Sequence, residues 1–175
     1  MPKGYRGCPY GGQPGLLNSL SSPVASPLRG IRIIPAMVWL ENVYLEWRKY
    51  RAQALIGIAY PMPTLAPPNA IGVHFTDRPS LEGINDPAQC ARRVALRLPD
   101  HDDCQRHGCV LIEFDIPDPS RVYVPTPTAG AALGKTTSGA HEWVYPDKIE
   151  LSSVMDIIYL DPAENGPMYY YIPLD

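Results

Sequence analysis

Over residues 38–56, Leu40, Val43, Tyr44, Trp47, Tyr50 and Ala54 recur at three- and four-residue steps, while Glu41, Glu46, Arg48, Lys49 and Gln53 fall between them. That spacing predicts an amphipathic helix whose aromatic stripe faces the core. A different period governs Val110-Leu111-Ile112-Glu113-Phe114-Asp115-Ile116, where alternation predicts a strand that buries Val110, Ile112, Phe114 and Ile116. The β-branched run Ile31 to Ile34 predicts a short buried strand, and residues 72–77 and 154–160 predict two more. Asp86-Pro87 supplies an N-cap and an N1 proline for a second helix, with Cys90, Val94 and Leu98 on one face and Arg93 and Arg97 on another. Pro99 is expected to end that helix, leaving residues 101–109 as a polar loop. Arg121 to Val124 is expected to extend the strand at 110–116 or pair with it. Residues 168–172, fenced by Pro167 and Pro173, suit an edge strand, and Lys3 to Gly7 suits a short strand near the start.

Twenty-one prolines, among them Pro61, Pro63, Pro67 and Pro68 in one stiff connector, and 14 glycines keep these elements short. With helices early and strands late, they predict one α+β domain over residues 1–175, a compact, loop-rich mixed β-sheet core with two main helices. A chain of 175 residues is long enough to build its own core, so Cys8, Cys90, Cys104 and Cys109, sparse and irregularly spaced, are expected as reduced thiols. A net charge of −3 gives no basic field for nucleic acid or anionic lipid, and no apolar run reaches the ~20 residues of a membrane span. The chain is therefore expected to be soluble, without a membrane partner.

Candidate chemistry is sparse. His101, Asp102, Asp103, Cys104, His107 and Cys109 are ligand types, but they crowd into nine positions, whereas zinc sites draw ligand pairs from separate segments, so no metal is expected. Gly134-Lys135-Thr136 lacks the first glycine of a phosphate loop, and neither a G-x-S-x-G elbow nor an H-E-x-x-H helix is present. More informative is Gly139-Ala140-His141-Glu142-Trp143-Val144-Tyr145-Pro146, where a carboxylate opens a short aromatic strand behind the small-residue run Gly134 to Gly139. Alternation sends Trp143 and Tyr145 to one face and Glu142 and Val144 to the other. A flexible loop thereby delivers an acid onto a rigid edge. The competing reading is a solvated glutamate at a strand start.

Tyr5-Arg6-Gly7 near the start, Gly72-Val73-His74-Phe75-Thr76-Asp77 in the middle and Glu142 before a late strand together resemble the ADP-ribosyltransferase fold family, in particular its small toxin and effector members. The resemblance covers the order of motifs over most of the chain. It implies an NAD-cleaving transferase in which Glu142 is catalytic and stabilises the ribosyl cation. Arg6 or His74 would donate to the ribose or pyrophosphate, Thr76 would belong to the middle-strand motif, and Phe75, Trp143 or Tyr145 would stack on the nicotinamide. In a second registration His74 is itself the first motif, as in members with His-x-Thr followed by an apolar helix start such as Leu81 and Ile84. Members that modify arginine carry Glu or Gln two residues before the catalytic glutamate, where this chain has Ala140. The resemblance further implies NAD as substrate, a macromolecular acceptor, protein or nucleic acid, and a cognate inhibitor protein. Its setting would be the cytosol of the producing or target cell, reached as an effector. The alternative from another class is a non-enzymatic structural or interaction protein such as a virion or assembly component, with the proline-rich loops and aromatic tail as contact surfaces.

Overall fold

In the computed structural model, residues 26–65, 72–84, 86–162 and the backbone of 169–171 are described. Arg6 and Cys8, the segment Lys3 to Gly7, Pro67 and Pro68, and the two ends of the 168–172 strand lie outside them. Strands β1 (Arg29–Pro35), β3 (Cys109–Asp115), β5 (Val154–Leu160) and β6 (Tyr169–Tyr171) form one sheet in the order β1-β3-β5-β6. Strands β2 (Val73–Phe75) and β4 (Trp143–Tyr145) form a second, two-stranded sheet. The protein is thus α+β, but every pairing between these strands is antiparallel, which corrects the expected mixed sheet.

Strands β1 and β3 are buried on both faces over most of their length, so apolar side chains predominate in them, whereas β5 is mostly half-buried. From one face Ile34, Val110, Ile112, Phe114 and Ile157 pack against Val73, Phe75, Trp143 and Tyr145 of the small sheet and against Val38, Trp39 and Val43. Those last three belong to helix α1, which runs through Ala36–Val38, a π-helical stretch Trp39–Tyr44 and Leu45–Leu55. Only its first half is core. Tyr44 and Trp47 pack on the cluster's margin, whereas Leu40 is 40% exposed and Leu45–Leu55 contains no buried residue. The aromatic stripe was expected to be buried along its length; it stops being so where the helix runs past the sheet.

The opposite face meets helices α2 (Pro87–Arg93) and α3 (Leu98–His107), with Ile31, Ile33, Leu81, Cys90, Ala91, Cys104, Cys109 and Leu160 forming a second cluster. Asp86 caps α2 as expected, its Oδ1 accepting from the Ala88 and Gln89 amides. Pro99, however, opens a helix instead of closing one, and residues 98–107 are α3, not a polar loop. A proline in a first helical turn sacrifices only an amide that would have lacked a partner. The Cys90, Cys104 and Cys109 thiols are free, buried and adjoining, and contact with the other two together with burial pushes the Cys109 thiol upward. The segment around Tyr123 also departs from expectation, pairing with Val144 of β4 and not with β3.

Candidate functional site

Strand β1 lies at the edge of its sheet and touches the small sheet at one bridge, where Ile31 and Thr76 exchange both backbone hydrogen bonds at 2.8 and 2.9 Å. A small cleft of about 30 Å³ borders this junction. Ile31, Arg32 and Ile33 line it from β1, and His74, Phe75 and Thr76 from β2 and its end. Val94 and Leu96 close it beyond α2, and Thr136, His141 and Glu142 come from the segment leading into β4.

Backbone hydrogen bonds position Glu142 closely. Its amide donates to the Gly134 carbonyl at 2.9 Å, Lys135 bridges His141, and the Thr136 amide donates to the Ala140 carbonyl at 2.8 Å. The Thr136 hydroxyl donates to the Arg93 carbonyl at 2.7 Å and accepts from the Ala140 amide at 3.2 Å, tying this segment to α2. The small-residue run leading to Glu142 thus folds as a hydrogen-bonded turn. Ala140 is fully buried within it.

Glu142 is 7% exposed, which overturns the solvated reading, and burial pushes its carboxyl up to about 7. His74 Nδ1 lies 3.7 Å from Glu142 Oε1. Burial first, and then the charge of Arg32, hold the imidazole down at about 3. At neutral pH this contact is accordingly between a neutral imidazole and a carboxyl near its midpoint of titration, not an ion pair. At 3.7 Å it is also longer than a hydrogen bond. His74 Nδ1 and Thr76 Oγ1 are buried without a hydrogen-bond partner among the described residues. Buried polar atoms in this state are uncommon, and here both belong to residues that line a cleft.

Arg32 was not anticipated. It is 2% exposed, and its guanidinium crosses from β1 to donate to the His74 carbonyl at 2.8 Å. The available signal was a lone charge inside Ile31-Arg32-Ile33-Ile34. His141 and Asp77 were quoted within motifs but given no role, yet His141 Nδ1 and Asp77 Oδ2 are 2.8 Å apart. Ser80 braces the pair, its amide donating to Asp77 Oδ1 at 3.1 Å and its hydroxyl accepting from the His141 amide at 2.9 Å. Burial alone would raise the Asp77 carboxyl, but hydrogen bonds from Ser80 and His141 prevail and hold it below its ordinary value.

The aromatic residues fall elsewhere. Trp143 and Tyr145 are each 3% exposed, pack in the core and do not line the cleft, because alternation turns them away from the face of Val144. Phe75 does line it, yet its ring stacks on Trp143 at 5.8 Å and meets Phe114 edge-on at 5.6 Å. Stacking of a ligand ring on Trp143 or Tyr145 therefore has no support in their placement. Among the described residues no group of three His, Cys, Asp or Glu side chains is placed to hold a metal ion, and no helix is long and apolar enough to cross a membrane. Comparison with known proteins finds no match: no family model, no curated protein and no solved structure aligns significantly with the chain.

Proposed function

We propose that this protein is an ADP-ribosyltransferase-like enzyme that cleaves the nicotinamide–ribose bond of NAD, with Glu142 as the catalytic carboxylate. The observation that carries the reading is the convergence of Glu142 with His74, Phe75 and Thr76 on one cleft, although the two segments are far apart in the chain. Positive charge develops on the ribose as nicotinamide leaves, and a fixed carboxylate in a water-poor site stabilises it more than water can. A cationic nicotinamide ring entering beside Glu142 favours the ionised carboxylate, so substrate itself charges the catalytic group. Arg32, the buried guanidinium on the described chain, would take the part first assigned to Arg6 and donate to ribose or phosphate oxygens. His74 Nδ1 and Thr76 Oγ1 would pair with the ribose hydroxyls. Mass spectrometry of NAD and acceptors after incubation tests this. Parent protein should release nicotinamide, Glu142→Gln should do so roughly 10²–10³-fold more slowly, and the exposed Glu150→Gln should match the parent. Equal rates from Glu142→Gln and parent, or no release at all, refute it.

One observation favours the interaction-protein alternative: Leu55, Ile56 and Ile58 follow one another at the end of α1, exposed by 84%, 66% and 52%. An NAD-dependent rise in melting temperature supports the enzyme, and a stable higher oligomer without such a rise supports the alternative.

A further inference from the structure

We propose that His141, positioned by Asp77, is the general base of the cleft and takes the proton from a neutral hydroxyl acceptor as its oxygen attacks the ribosyl carbon. This inference rests on the NAD-cleaving reading and adds the acceptor side of the reaction. Geometry supports it first. With Nδ1 engaged by Asp77 Oδ2 at 2.8 Å, the imidazole carries its proton on Nδ1 and presents Nε2 as the basic nitrogen. Ser80 holds both partners, so the ring and the carboxylate keep their relative orientation. The His141 imidazole also leans on the Trp143 ring at 5.4 Å, which restricts its rotation.

Position supplies the second argument. His141 and Glu142 line the same cleft, but the His141 side chain is 30% exposed against 9% for Glu142. The dyad therefore stands toward solvent, where an acceptor arrives, and Glu142 stands deeper, where the ribose cation would form. Chemistry separates the roles as well. Glu142 must remain anionic while the cation exists, so a second group has to receive the acceptor's proton. As the C–N bond breaks, its electron pair leaves with neutral nicotinamide. The acceptor oxygen bonds to the ribosyl carbon, and its proton passes to His141 Nε2 and then to solvent. Asp77 stabilises the imidazolium without itself taking the proton. An acceptor that is already anionic has no need of this base.

Water and methanol serve as hydroxyl probes, giving ADP-ribose and its methyl riboside, while azide is a nucleophile with no proton to lose. His141→Gln and Asp77→Asn should each lower the water and methanol products by about 10²–10⁴-fold and form ADP-ribosyl azide at the parental rate. Glu142→Gln should be slow with all three. Parental rates in water, or failure of azide to restore either variant, overturn the proposal. If the parent releases no nicotinamide, the transferase reading falls, and modification of His141 by diethyl pyrocarbonate judges the dyad by itself. At a fixed pH its rate should change in Asp77→Asn, where Nδ1 has lost its carboxylate partner; equal rates in the two overturn the dyad.

Discussion

Replacing Glu142 by glutamine should make the protein more stable above neutral pH while disabling the proposed chemistry. In the folded protein the carboxyl titrates at about 7 against an ordinary 4.5, because burial disfavours its charge. Between those two values the folded state holds its proton and the unfolded chain has lost it, so stability falls as pH rises through the window. The rise from 4.5 to about 7, at 1.36 kcal/mol for each pH unit, costs about 3 kcal/mol once the group is fully ionised. Glutamine cannot ionise and retains nearly the same shape. Urea unfolding of Glu142→Gln and parent should therefore nearly coincide at pH 4 and diverge to about 3 kcal/mol in favour of the variant at pH 8, with unchanged slopes. For a domain of this size that corresponds to about 6–12 °C in Tm. A stability difference that does not change with pH, or a variant less stable than the parent at pH 8, would refute the account of Glu142 as a carboxyl whose charge burial disfavours.

Two further outcomes follow from the same cleft. His74 is held down at about 3 in the folded state against an ordinary 6.5, so the unfolded chain binds the extra proton and stability is lost as pH falls below 6.5; His74→Gln should gain on the parent progressively from pH 6 to pH 4 in urea unfolding, and a constant gap counts against it. A Cβ on Gly30 would approach Phe75 Cδ2 to 2.6 Å and Phe114 Cζ to 2.8 Å, and both rings are already held edge to face, so Gly30→Ala should cost about 1–3 kcal/mol of stability by the same measurement, and a parental unfolding midpoint would contradict that packing.

What the sequence by itself determined was local. Alternation over 110–116 identified Val110, Ile112, Phe114 and Ile116 as core, and all four are buried. It also placed Trp143 and Tyr145 opposite Val144, because side-chain period is a property of strand backbone. The same period could not tell which face would meet a ligand, and the two aromatic residues proved to be on the core side. Pro99 was ambiguous for a related reason, since a proline after one helix and a proline in the first turn of the next look alike in sequence. The stripe on α1 specified a helix but not how far the sheet beneath it extends, so Tyr50 and Ala54 were expected in a core that ends before them. Only tertiary structure decided the cleft. Arg32 meets His74 because two sheets join at the Ile31–Thr76 bridge, and Asp77 meets His141 because the turn after β2 lies beside the entry to β4. Such contacts depend on where separate strands meet and part, and that is set by how the sheets and helices pack, not by the periodicity of any one segment.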